Sequence, residues 1–211
     1  MKKAGFVFCL LLISFSMLAQ KSVRLYNRGV KFASQNNYPK AIDFFTRSID
    51  EDPTIPEAWY NRGLARSKIG DYKGAISDYS MTISFWPDFA PAYNNRGADR
   101  IEVDDLQGAV TDLTMAANLS PGNALAHYNR GVARFKLAEF SLALHDFTAS
   151  IFIKPDFTDA WYNRAMTHLQ LESINEALSD LQQVLTLDPG NEKAKQKRKG
   201  ILLLDDHMYA R

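Results

Sequence analysis

Four arginines of the 211-residue chain, Arg62, Arg96, Arg130 and Arg164, are each followed sixteen residues later by an aspartate: Asp78, Asp112, Asp146 and Asp180. A planar guanidinium and a carboxylate form a two-pronged ion pair, and a fixed separation repeated four times is the mark of a brace between two helices, with ligand binding as the alternative. The first stretch of chain breaks the pattern: sixteen residues after Arg28 stands Phe44, with Asp43 one place earlier. Beside the arginines runs a row of asparagines, Asn27, Asn61, Asn95, Asn129 and Asn163, four of them preceded by tyrosine at Tyr26, Tyr60, Tyr128 and Tyr162. A carboxamide carries both donor and acceptor and so suits a peptide group of any sequence. Tyr60, Tyr128 and Tyr162 are expected to add stacking surface beside it, with core packing as the alternative.

Residues for catalysis do not assemble. His127, His145, His168 and His207 lie far apart without metal-ligand spacing, and no Gly-rich phosphate loop or nucleophile elbow is visible. The reading is of a chain that is not an enzyme, with no cofactor and no metal. Nucleic acid is not expected either. Without Lys2 and Lys3, the 25 basic residues become one fewer than the 24 acidic ones, a net charge of about −1. The local excess at Lys193, Lys195, Lys197, Arg198 and Lys199 is expected to be a solvated helix face.

The elements that hold these side chains follow from self-similarity. The Tyr-Asn-Arg-Gly run at Tyr26 to Gly29 recurs at Tyr60 and Tyr128, with variants at Asn94 and Tyr162, always in steps of 34 residues. Ala41, Ala75, Ala109, Ala143 and Ala177 keep the same step, as do Pro53, Pro87, Pro121, Pro155 and Pro189. Within each segment the apolar residues keep helical spacing over two short runs. Turn residues separate those runs at Asn36-Asn37, Gly70-Asp71 and Asp104-Asp105, and proline closes each segment because it cannot continue a helix. Asp71 is expected to cap a second helix, and Thr54-Ile55-Pro56-Glu57 to form a capping box at the start of a first one. The recurring Gly and Ala are expected to let the paired helices approach closely.

The combination of Trp59 or Trp161, a small residue, Ala, a bulky residue and Pro at this period resembles the tetratricopeptide repeat. The resemblance covers repeats 22–55, 56–89, 90–123, 124–157 and 158–191. It implies an all-α fold, a right-handed α-solenoid of five helix–turn–helix repeats, here with a capping helix over 192–204 built on Ala194, Ile201, Leu202 and Leu203. It also implies a groove lined by the first helices, in which asparagines at this motif position hold the backbone of an extended peptide; bonding to neighbouring helices or water is the alternative. Lys68 and Lys136, with Ser34, Glu102 and Gln170 at the matching positions, form a row that differs between repeats and is expected to set selectivity. Asn94, Ala98, Asp99, Glu102, Asp104 and Asp105 make repeat three small and acidic, as if to favour a basic or bulky group, with drift without function as the alternative. The family's clamp for C-terminal carboxylates is matched only in its asparagine.

The chain begins with Lys2-Lys3, an apolar stretch from Ala4 to Leu18 and then Ala19, which reads as a signal peptide over residues 1–19 and not as a membrane anchor. Cys9, the single cysteine, lies inside it, so the mature chain has no thiol chemistry. The expected product is bacterial, exported to the periplasm or secreted, with the repeat domain at 20–206 and a flexible tail at 205–211. It would be a non-enzymatic scaffold that takes a protein or peptide segment in its groove, without a membrane span. The alternative is a structural subunit of an envelope or secretion complex, acting through its convex face or its ends.

Overall fold

The computed structural model describes residues 20–209; the expected signal peptide and residues 210–211 lie outside the described residues. Every regular element among the described residues is a helix. Helix α1 covers 20–34 and is followed by α2 (Tyr38–Glu51), α3 (Pro56–Lys68), α4 (Tyr72–Phe85), α5 (Ala90–Glu102), α6 (Leu106–Leu119), α7 (Ala124–Lys136), α8 (Phe140–Ile153), α9 (Thr158–Gln170), α10 (Ile174–Leu187) and α11 (Glu192–Tyr209). Two compact bodies divide at Val103 and Asp104, so the first holds α1 to α5 and the second α6 to α11. Within each, consecutive helices pack against one another as helix–turn–helix pairs of the α-solenoid class, and α3 also touches α5 as α7 touches α9.

The pairs turn on a left-handed residue once per repeat: Asn36 (φ 56°), Gly70 (82°), Asp104 (62°), Ala138 (59°) and Glu172 (57°). Glycine takes that conformation without cost, and asparagine and aspartate tolerate it best of the rest. In three repeats the next residue caps the second helix with its side chain: Asn37 accepts from the Lys40 amide, Asp71 from Gly74 and Asp105 from Gly108. Each second helix then stops two residues before its proline. The capping box expected over 54–57 does not form, because Thr54 donates its hydroxyl to Asp52 at 2.6 Å and Ile55 occupies the cap. Proline does open α3, as expected. The first helices are tied to the loop behind them by their aromatic residue. Trp59 Nε1 donates to the Pro53 carbonyl and Trp161 Nε1 to that of Pro155, both at 2.8 Å. His127 does the same from Nε2 to Pro121 at 3.1 Å, which fixes the proton on that nitrogen.

Close approach inside a pair depends on an exchange of size. The five ladder alanines are fully buried. A Cβ on Gly63 would lie 2.8 Å from the Tyr79 ring, and one on Gly131 equally close to Phe147. In repeat five both sizes change together: Ala165 replaces glycine and Leu181 replaces the aromatic, and both are buried in one cluster. Helix α11 covers that cluster with Ala194 and Ile201, while Leu202 and Leu203, expected to share the task, are exposed. The helix also continues to Tyr209, past the end at 204 read from sequence. No helix among the described residues is long and apolar enough to cross a membrane. Gly63→Ala should cost about 1–3 kcal/mol of stability by overpacking against Tyr79; a thermal melt equal to the parent's would show that the ring can move aside.

Candidate functional site

The brace is present in both bodies. In the first, Arg62 grips Asp78 with Nε to Oδ2 at 2.9 Å and Nη2 to Oδ1 at 2.7 Å. In the second, Arg130 holds Asp146 and Arg164 holds Asp180 in the same way, each Nη2 2.7 Å from Oδ1. Each arginine reaches equally far back along the chain. Arg62 Nη1 donates to Thr46, Arg96 to Ser80, Arg130 to Thr114 and Arg164 to Thr148 at 2.9–3.4 Å, in each case a hydroxyl sixteen residues earlier. The faces of Arg62, Arg96 and Arg164 lie over Trp59, Tyr93 and Trp161. Arg62, Arg130 and Arg164 therefore tie three helices together: their own, its partner and the second helix of the repeat before. That is the geometry of a brace between helices.

A second basic residue, four places on, joins the brace in repeats two and four. Arg66 Nη1 donates to Asp78 Oδ2 at 2.9 Å and Arg134 Nη1 to Asp146 Oδ2 at 2.7 Å. Asp78 and Asp146 are thus fully buried carboxylates shared by two guanidiniums. Repeat one replaces the whole arrangement with aromatic rings. Phe32 stands where Arg66 would, Phe44 where Asp78 would, and the rings stack at 5.3 Å and 9°. Arg28 and Arg47 then lie over Phe44, and Asp43 pairs with Arg47 instead of with Arg28.

The asparagine row makes contacts between repeats. Asn61 Nδ2 donates to the Tyr26 hydroxyl at 2.9 Å, Asn95 to Tyr60 at 3.1 Å and Asn163 to Tyr128 at 2.9 Å. Each of these asparagines thus meets the tyrosine of the preceding repeat and not the residue beside it in sequence. Asn61 Nδ2 also donates to the Glu57 carbonyl. Asn27 is exposed on α1, Asn129 lies half-buried on α7, and Lys68 and Lys136 stand at the ends of α3 and α7. The tyrosine rings are walls of the core as much as surface. Tyr60 packs on Tyr79 and Phe89, Tyr128 on Phe147 and Phe157, and Tyr162 against the cluster under α11. Burial raises the hydroxyl pKa of Tyr26, Tyr60 and Tyr128 above its ordinary value, which keeps each a neutral donor while it accepts from asparagine. An Asn61–Tyr26 or Asn163–Tyr128 pair accordingly presents the amide oxygen as an acceptor and the phenolic proton as a donor, the complement of a peptide group. Phe89 and Phe157, which press on these tyrosines, carry a readable signal in their separation, a multiple of the 34-residue period.

The acidic residues of repeat three do not share one surface: Glu102, Asp104 and Asp105 are exposed while others of the set turn inward. Asn94 and Asp99 are buried, Asp104 forms the left-handed turn and Asp105 is a helix cap. Asp99 faces inward and accepts from the Ser67 hydroxyl at 2.8 Å, and its Oδ2 has no partner among the described residues. Burial pushes its pKa up to about 6, opposed by the Ser67 bond and assisted by the charge of Glu102. No group of three potential metal ligands occurs among the described residues.

Comparisons with known proteins agree with this fold. Residues 158–191 and residues 44–77 each match a tetratricopeptide repeat family. Comparison with curated proteins finds no match. Among solved structures, a crystal structure of MamA aligns with a TM-score of 0.74 at 23% identity, over 78% of this chain and 96% of that one. YrrB, described as a TPR protein with an unusual peptide-binding site, aligns with a TM-score of 0.76 at 19% identity, over 89% of this chain and 97% of that one. A thermophilic TPR protein of Thermus thermophilus aligns with a TM-score of 0.64 at 20% identity, over 86% of this chain and 99% of that one. The chain has the tetratricopeptide repeat fold.

Asp146→Asn, which leaves two guanidiniums facing a neutral amide, should cost roughly 3 kcal/mol, as breaking a buried ion pair does; chemical denaturation measures it, and a cost below about 1 kcal/mol, the size of an exposed pair, would refute the brace. Asp99 titrates with the opposite sign to a stabilising carboxylate. Its protonated form suits the fold, so its contribution is complete below the ordinary aspartate pKa and disappears as pH rises through about 6. Asp99→Asn should therefore raise the melting temperature at pH 8, with the difference closing as pH falls toward 4.

Proposed function

We propose that this chain is a non-enzymatic protein-interaction scaffold that holds an extended peptide segment of a partner along the side of its first helices. The observation that carries the reading is the asparagine–tyrosine pair, which joins consecutive first helices and still offers one acceptor and one donor to a peptide backbone. Backbone recognition of this kind fixes where a segment lies without specifying its sequence. Apolar side chains three residues on, Leu64 on α3, Val132 on α7 and Met166 on α9, would add contact area, and Lys68 and Lys136 a preference for acidic neighbours. The described peptide-binding site of YrrB, on the same fold, supports a peptide as the ligand class. The Lys2-Lys3 start and the apolar stretch behind it support export, and with it a periplasmic or secreted partner.

A second reading has its own observation. Phe152 on α8 is 86% exposed, on a second helix and away from the asparagine pairs, as a residue that packs against another subunit would be. Assembly through that face would make the chain a structural subunit of a larger complex.

Peptides selected from a random displayed library on the full chain should lose about fivefold or more in affinity with Asn61→Ala where they bind the first body, or with Asn163→Ala where they bind the second, the loss of a backbone hydrogen bond. Tyr26→Phe, which removes only the hydroxyl group, should weaken peptides bound at α1 and α3 and cost about 1 kcal/mol of stability, the loss of one hydrogen bond, while the chain stays folded. Peptide affinities untouched by these variants, together with a sedimentation coefficient that rises with concentration and falls with Phe152→Ser, would replace the groove reading with the assembly reading.

A further inference from the structure

Repeat five departs from the double brace at one position, and the departure leaves a charged cleft. In repeat two the carboxylates of Asp78 and Asp71 face the guanidiniums of Arg62 and Arg66, and in repeat four Asp146 and Glu139 face Arg130 and Arg134. Two negative charges meet two positive ones in each. Repeat five has His168 in place of the second arginine. Its Nε2 stands 3.8 Å from Asp180 Oδ2, beyond hydrogen-bond reach, and its Nδ1 is buried with no partner among the described residues. The residue before α10 is Ser173 and not an acid, but Glu176 occupies the position of Gly74, whose carbonyl accepts from Arg66 in repeat two. A cleft of about 360 Å³ opens there between α8, α9 and α10, lined by Thr148, Arg164, His168, Glu176 and Asp180.

Two carboxylates and one guanidinium line this cleft, and an imidazole stands where repeats two and four carry a second guanidinium, so the site lacks one of the permanent positive charges of its counterparts. The missing charge has a defined shape in this chain. At the corresponding places Arg66 and Arg134 lay an Nη1 on the free side of the aspartate although another arginine already holds it. The cleft is large enough for a guanidinium and part of its methylene stem. Asp180 is nearly fully buried, so the ion pair would form largely out of water. We propose that this cleft receives the guanidinium of an arginine side chain carried by a partner segment, which completes the double brace from outside. The proposal is independent of the asparagine pairs. On α9, His168 is five residues from Asn163, about 140° around the helix, and the cleft lies on the side of the second helices.

The test titrates Nα-acetyl-arginine methylamide into the full chain and follows the amide resonances of α9 and α10. Saturable shifts with a dissociation constant on the order of millimolar are expected for one buried ion pair. His168→Arg, which places the chain's own guanidinium in the cleft, should abolish the response and raise the melting temperature. Glu176→Gln, at an exposed position that leaves the fold intact, should weaken binding about fivefold or more, the loss of one charge-assisted hydrogen bond. Nα-acetyl-citrulline methylamide, neutral and of similar shape, should not bind, and the blocked lysine should bind about fivefold more weakly because it lacks the planar fork. No saturable response, a response that survives in His168→Arg, or equal binding of citrulline or lysine would overturn the proposal. Tighter binding of free arginine than of the blocked form would also overturn it, by assigning the cleft to the amino acid and not to a partner's side chain.

Discussion

The structure depends on a desolvated carboxylate that must be matched. Asp78 and Asp146 lie out of water on second helices, where an unpaired charge would cost several kcal/mol. Each is matched by the first helix of its own repeat, through Arg62 or Arg130 and then through Arg66 or Arg134. The matching arginines must in turn be held, and their third nitrogen finds a hydroxyl on the second helix of the preceding repeat. A helix pair of this size cannot enclose its own apolar face, so stacking is obligatory. The hydroxyl contact adds a directional tie to that stacking. Repeat one shows the same constraint met by other means. Where the carboxylate is absent the second guanidinium is absent too, and stacked phenylalanines fill both places.

Much of this is legible in the chain. The 34-residue period, two helices per repeat, the turn positions and the arginine–aspartate spacing are all written in one line of residues, because a repeat displays each structural requirement several times over. The hydroxyl at Thr46, Ser80, Thr114 and Thr148 and the second basic residue at Arg66, Arg100, Arg134 and His168 repeat just as faithfully. Their roles are harder to read because Ser, Thr and Arg on a helix ordinarily face water, and the hydroxyl lies sixteen residues behind its arginine, in the repeat before, where a pairing within one repeat does not reach.

Other features are not legible, for reasons of direction. Asn61 and Tyr60 are neighbours in sequence but point about 100° apart on their helix, so the tyrosine that asparagine meets is the one a repeat earlier. The acidic residues of repeat three are divided by the same geometry. Asp99 directly follows Ala98, yet that single step turns its carboxylate inward against Ser67. The capping box at 54–57 failed through competition, since Asp52 captures Thr54 before the helix begins. None of these outcomes changes composition or period, which is why a pattern read along the chain does not see them.

The contacts that hold the repeats together are short in sequence. The braces span sixteen residues and the asparagine–tyrosine bonds 35, so most of the stabilising pairs form between segments close along the chain. Loop-closure entropy is small for such distances, and chains of low contact order fold rapidly. The brace around Arg62 joins residues of the first body alone, so it can close without any residue of the second. An unfinished chain can therefore already contain finished repeats, and the last of them waits only for α11 to cover its open apolar side.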